Sequence, residues 1–280
     1  MSATIRVGAV NNLNTKPLIE RLPDFAPSID LSLALPSRLA DQLAAGEIDV
    51  GLIPVVEFFR GDNYTFVPNI AIGSRGPVLS VTLFSRVPWP EIRSVTLDEG
   101  SRTSAALTQI LLTKRYGLRP RLEQLPIDAP AEGLGTDAVL LIGDLAMRAC
   151  LPGYRFAYDL GQEWTDWTGL PFVYALWAVR GGVELGEVES AFHKAKEYGL
   201  AHAGVIAQRE AGVLGLDPGY CRRYLQTVIR YDLGPRELAG MRRFHELCEE
   251  VGLVGIAACG VAGGAARLAT PQAASAGELR

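Results

Sequence analysis

The chain has no CxxC pair, no apolar run approaching the ~18 residues that would cross a membrane, and neither a GxGxxG nor a GxxxxGK[ST] loop. Each absence removes a class of protein. Its four cysteines, Cys150, Cys221, Cys248 and Cys259, are scattered, and the only His/Cys pair at helical spacing, His245 with Cys248, is explained by packing on an expected helix. No metal site is expected, and reduced thiols suit the cytoplasm. Histidine is scarce: His193, His202 and His245 all fall on the carboxyl-terminal helices, so no Ser/His/Asp arrangement can be read and a histidine base is not expected. Without a nucleotide loop, no cofactor is indicated. Basic residues do not predominate either, and a net charge of −4 with a pI near 5.5 argues against a general nucleic-acid binder. The opening MSATIRVGAV enters an apolar strand with no secretory region, so a protein that is not exported is expected, with no membrane partner.

What is present is a large core. Of 280 residues 48% are hydrophobic and 21% charged, enough for one large domain or two lobes. Strands are expected at 5–10, 31–35 and 48–53, with a helix from 16 that tolerates Pro17 in its first turn and another from 36 closed by Gly46. This β-α-β-α-β alternation implies an α/β protein with a mainly parallel sheet. Strands at 66–72 and 78–86 flank the turn Gly73-Ser74-Arg75-Gly76-Pro77, and Val87-Pro88-Trp89-Pro90 leads into a second series. That series has strands at 95–97, 121–125 and 138–142 and a helix over 102–116. A helix over 159–168, a strand over 172–180 and helices over 187–210, 219–231 and 235–251 complete the pattern. The long strands 78–86 and 172–180 are the natural crossings between lobes, giving residues 1–86 and 180–254 to one lobe and 87–179 to the other. Residues 255–280, rich in Ala and Gly, are expected to form a flexible tail.

Candidate site residues gather at strand ends, where α/β proteins bind ligands. The stretch RVGAVNNLNTKPL places Asn11, Asn12 and Asn14 in a turn after the first strand, where asparagine also serves turn geometry alone. Ser101, Arg102, Thr103 and Ser104 open a helix after Asp98-Glu99-Gly100. They suit either N-capping by Ser101 or an anion held at the positive helix end. Gly76 permits close backbone approach, and Ser80 is a hydroxyl in an apolar strand that must find a partner, backbone carbonyl or substrate. Ile142-Gly143-Asp144 ends another strand, and Asp144 suits a helix cap.

Six segments in order, VGAVNNLNTKPL, LPSRLADQLAAGEIDVGLIPVVEF, IGSRGPVLSVTLFSR, LDEGSRTSAALTQILL, VLLIGDLAMR and DLGQEWTDWTGLPFVYALWAV, resemble the chorismate dehydratases of the futalosine route to menaquinone. The likeness runs from Arg6 to about Arg180 and more weakly through the later helices. Asn12 departs from it, since the family more often has an aromatic residue there.

The resemblance implies a two-lobed periplasmic-binding-protein type II-like fold, with two interlobe strand crossings, used as a cytoplasmic hydro-lyase without metal or cofactor. Its small-molecule substrate is chorismate, which loses water to give 3-[(1-carboxyvinyl)oxy]benzoate. Asn14 and Ser80 are then expected to orient the reacting centre, with Asn11 in support and Asn12 back to turn geometry. Ser101, Thr103 and Ser104, with Arg102 unless it pairs with a neighbouring acid, are expected to hold one carboxylate, and backbone amides near Gly76 and Gly143 to complete the cradle. Neither an amide nor an unassisted hydroxyl is a good base, so the substrate's enolpyruvyl carboxylate is expected to take the proton in a closed cleft, with Asp144 the protein alternative. A hinge motion across the two crossings would close it. The same scaffold also serves carboxylate-binding or sensing proteins, and the naphthoate-forming synthase of the route, whose Ser-Pro-Asp-Thr-like first turn is not found here.

Overall fold

The computed structural model of the chain describes residues 4–126, 129–131 and 133–255, so the expected tail falls, but for Gly255, outside the described residues. Strands β1 (Ile5–Ala9), β2 (Ile29–Leu33), β3 (Val50–Pro54) and β4 (Thr65–Ser74) begin one sheet. The next five, β5 (Val81–Ser85), β6 (Ser94–Asp98), β7 (Arg121–Leu125), β8 (Ala138–Ile142) and β9 (Phe156–Asp159), build a second. The chain then returns, and β10 (Phe172–Val179) and β11 (Ile229–Arg230) complete the first sheet in the order β11-β4-β10-β3-β1-β2; the second runs β7-β6-β8-β5-β9.

The parallel core expected from the β-α alternation is present in both sheets, β1 pairing with β2 and β3, and β6 with β7 and β8. All five residues of β3 are buried, as befits a strand covered on both faces. Helix Pro36–Ala44 packs beside it through Leu39 and Leu43, four residues apart on one helical face and both fully buried. One apolar cluster runs from Val50 and Leu52 in the first sheet to Leu83 and Val95 in the second, and a smaller one around Leu125, Val139 and Leu141 fills the far side.

The crossings differ from expectation. Val81–Ser85, expected in the first lobe, pairs antiparallel with β8 and β9; Phe172–Val179, expected in the second, pairs antiparallel with β3 and β4. The chain therefore crosses just before each long strand, through residues 75–80 and 169–171. Residues 78–80 do not extend β5, because Leu79 is held in a left-handed conformation (φ 64°) that no strand accommodates. Other elements were not expected: β9 and the two-residue β11 are short edge strands with little apolar signal. Instead of one helix over 187–210 there are two, Val188–Ala201 and Ala203–Leu214, with His202 between them stacked on Tyr198 at 3.9 Å. Likewise 219–231 divides into helix Pro218–Arg223, a π-turn Tyr224–Val228 and β11.

Two contacts tie the first sheet's surroundings. Buried Asp49 accepts from Arg6 N, Nε and Nη2 (2.8–3.0 Å) and from Arg180 Nη2 (2.7 Å), joining β1 to the chain leaving β10. Those bonds outweigh desolvation and hold its carboxyl well below the usual carboxylate range. A lowered folded pKa gives stability that is complete above the unfolded value near ~4 and lost as pH falls below it. We expect Asp49→Asn to lower stability at neutral pH and to flatten its decline below about pH 4, checked by denaturant titrations across pH. Elsewhere, Gly199 lets helix Val188–Ala201 touch the Pro17 carbonyl so closely that a Cβ there would overlap it. On propensity alone Gly199→Ala should stabilise that helix by roughly 0.5–1 kcal/mol. We expect the overlap to reverse the sign, with a net loss of about 1–3 kcal/mol in thermal unfolding.

Candidate active site

Between the sheets lies a cleft of about 80 Å3. Its walls are strand ends and the turns that follow them. The turn after β1 contributes Asn12, Asn14 and Thr15; the first crossing contributes Val78 and Ser80; the start of helix Arg102–Ile110 contributes Ser101, Thr103 and Ser104; and Gly143 follows β8. Six of the expected residues, Asn14, Ser80, Ser101, Thr103, Ser104 and Gly143, thus meet in one place.

Their local settings explain the meeting. Leu13–Thr15 is a single 3-10 turn closed by Thr15 N donating to Asn12 O (3.0 Å), and Thr15 Oγ1 donates to Asn14 Oδ1 (3.4 Å). Across the cleft Ser101 occupies the N-cap position, yet its side chain makes no cap bond, so the capping alternative is not realised. Ser101, Thr103 and Ser104 are all buried; Thr103 Oγ1 accepts from Val56 N (3.3 Å), a contact between the lobes. Ser80 precedes β5, and its hydroxyl accepts from Tyr224 Oη at 2.8 Å. It is therefore not a hydroxyl within a strand, as the sequence suggested.

The remaining candidates are committed elsewhere. Asn11 is exposed and accepts from Lys16 Nζ (2.7 Å). Arg102 binds Asp41 with both Nη atoms (2.8 and 3.0 Å) and reaches Glu57 (3.2 Å), forming an ion-pair strap between lobes outside the cleft. The amides expected to complete a cradle are occupied: Gly76 N donates to Thr165 Oγ1 (2.9 Å) and Gly143 N to Ser80 O (2.7 Å). Asp144 does not cap its helix. Its carboxylate accepts from Leu13 N (3.1 Å), and burial pushes its pKa up against the opposing pull of that bond and Arg148. It lines a neighbouring groove rather than the cleft.

Three cleft or near-cleft residues escaped the sequence reading. Asn12, there returned to turn geometry, lines the cleft and lies against Gly143, where a Cβ would come within 2.9 Å of its Nδ2. Tyr174, a wall residue from β10, is buried beside Ser74 (3.4 Å). Tyr224 reaches Ser80 across 144 positions of sequence, a separation with no local signal.

Comparison with known proteins decides the family. A family description for menaquinone biosynthesis matches residues 5–250. The chain belongs to that menaquinone biosynthesis family. Among its relatives, a chorismate dehydratase of Thermus thermophilus is 32% identical over 232 residues, covering 76% of this chain and 84% of that protein. A chorismate dehydratase of Campylobacter jejuni is 25% identical over 253 residues, covering 88% and 98%. In fold, this member of the family is similar to the periplasmic aliphatic sulphonate binding protein SsuA of Escherichia coli (TM-score 0.64, 18% identity, 100% of this chain and 96% of that one). The two-lobed periplasmic-binding-protein-like architecture follows. No helix among the described residues is long and apolar enough to cross a membrane.

Within this family member, one carboxylate organises the first crossing. Asp159 accepts from Val78 N (2.9 Å) and Leu79 N (2.7 Å) while capping helix Leu160–Thr168 through Gly161 N (3.0 Å) and Gln162 N (3.1 Å). Burial raises its pKa, and the four amides offset part of that rise. We expect Asp159→Ala to cost about 2–4 kcal/mol, a helix cap plus two charge-assisted bonds, measured by denaturant unfolding.

Proposed function

We propose that this protein is a chorismate dehydratase, a hydro-lyase that converts chorismate to 3-[(1-carboxyvinyl)oxy]benzoate in the futalosine route. The observation that carries the mechanism is the character of the cleft wall: Asn12, Asn14, Thr15, Ser80, Ser101, Thr103 and Ser104 are neutral, and no Asp, Glu, His, Lys or Arg is among the described lining residues. Neutral donors can hold an anion, and the three hydroxyls at the start of helix Arg102–Ile110 meet it at the positive end of the dipole. None of them is a strong base.

The elimination therefore draws its base from the substrate. The enolpyruvyl carboxylate removes the proton at ring C3, the C3–H electrons form the new ring double bond, and the C4–O bond breaks. Hydroxide leaves and takes that proton from the new enolpyruvyl carboxylic acid to become water, restoring the carboxylate, and aromatisation makes the step downhill. Asn14 and Ser80 are the groups we assign to the reacting centre, orienting the ring and donating to the departing oxygen. Ser101, Thr103 and Ser104 hold one carboxylate. Closure around these neutral donors excludes water and strengthens each hydrogen bond. Free thiols at Cys150, Cys221 and Cys248 support a reducing, cytoplasmic setting.

Incubation with chorismate should yield a product lighter by one water in mass spectrometry. Asn14→Ala and Ser80→Ala should each lower turnover by about 100-fold, whereas Asp144→Asn should keep it within several-fold. Loss of activity in Asp144→Asn alone would return the base to the protein. Chorismate binding without turnover in the wild type would identify a binding or sensing protein instead.

A further inference from the structure

Tyr224 stands outside the mechanism above, yet its side chain ends at Ser80, one of the residues assigned to the reacting centre. Its hydroxyl donates to Ser80 Oγ at 2.8 Å. Tyr224 is 1% exposed and Ser80 2%, so water does not compete for this bond. The phenol is not itself among the cleft-lining residues; Ser80 and Asn14 are.

The direction of the bond has a consequence. A serine hydroxyl has one proton and two lone pairs. With one lone pair taken by the Tyr224 proton, Ser80 is turned to present its own proton elsewhere, and among the described residues no acceptor receives it. The open direction is the cleft, which Ser80 lines. Backbone contacts fix the rest of the serine: Ser80 O accepts from Gly143 N (2.7 Å), and the preceding Leu79 is held by Asp159. Tyr224 is itself placed by an irregularity, since helix Pro218–Arg223 widens into the π-turn Tyr224–Val228 at this residue. Such single-turn expansions re-aim side chains and recur at functional sites. Burial raises the phenol's pKa above its ordinary value, so it remains a donor across the working pH range.

We propose that Tyr224 is a positioning residue, which by donating to Ser80 makes the Ser80 hydroxyl a donor toward the substrate. The chain of groups then runs from Tyr224 through Ser80 to the departing oxygen. This role rests on the dehydratase reading, because it acts through Ser80 on the reacting substrate.

The test is a double-mutant cycle on the full chain with chorismate as substrate, using Tyr224→Phe, Ser80→Ala and the pair. Tyr224→Phe keeps the ring and its packing, so its thermal midpoint should stay close to wild type. We expect kcat to fall about tenfold with KM within twofold, and the same change to have no further effect in the Ser80→Ala background. An unchanged kcat in Tyr224→Phe, or an equal loss with and without Ser80, would overturn the proposal while leaving wild-type dehydration intact. A wild type that neither binds nor dehydrates chorismate would instead remove the functional reading, and the proposal with it. If Tyr224→Phe is unstable, Tyr224→Trp and Tyr224→Met serve as hydroxyl-free controls. Wild-type kcat in any folded one of them also overturns the proposal.

Discussion

The cleft depends on one half-buried carboxylate. Asp159 gathers four backbone N–H groups, two from the first interlobe crossing and two from the helix that follows β9. A carboxylate with so many partners tolerates burial because amide dipoles replace its lost hydration. The geometric result matters more than the energy. Leu79 is kept in a left-handed conformation, β5 starts only at Val81, and Ser80 emerges at the cleft instead of continuing a strand. Thr165, from the same helix, accepts from Gly76 N and secures the other end of the crossing.

Around that anchor the lobes are joined by polar contacts as well as by a shared apolar cluster. Leu13 N to Asp144, Val56 N to Thr103 and the Arg102 strap to Asp41 and Glu57 all span from one sheet's elements to the other's. These contacts use up Asp144 and Arg102, two charged groups adjacent in sequence to residues of the cleft wall. Spending charges on closure leaves a wall of amides and hydroxyls. Such a wall can hold an anion without neutralising it, which supports the proposed use of the substrate's own carboxylate as base.

Much of this was legible in the chain. Alternation of short apolar strands and helices, with Pro17 and Pro36 at helix starts and Gly46 at a helix end, predicts the parallel β1, β2 and β3, because local propensity and the 3.6 and 2.0 periodicities are written in consecutive residues. The placing of Asn14 and of Ser101, Thr103 and Ser104 at strand ends followed from the same logic. The breaks at His202 and at the Tyr224 π-turn were not legible, since a helical pattern continues through both and tertiary packing interrupts it.

The sequence by itself determined the fold class, the two lobes and a cofactor-binding motif's absence, since each is a property of residues near one another in the chain. Only the tertiary structure decided which candidates share a cleft. Arg102 turned to Asp41, Asn11 to Lys16, and the amides of Gly76 and Gly143 to Thr165 and Ser80. Except for Asn11, whose partner lies five residues on, each choice was made by a partner distant in sequence, and hydrogen-bond partners at that range leave no periodic or compositional trace. Tyr224 is the clearest case: 144 positions from Ser80, it acquires its place only when the returning chain lays the π-turn beside the first crossing.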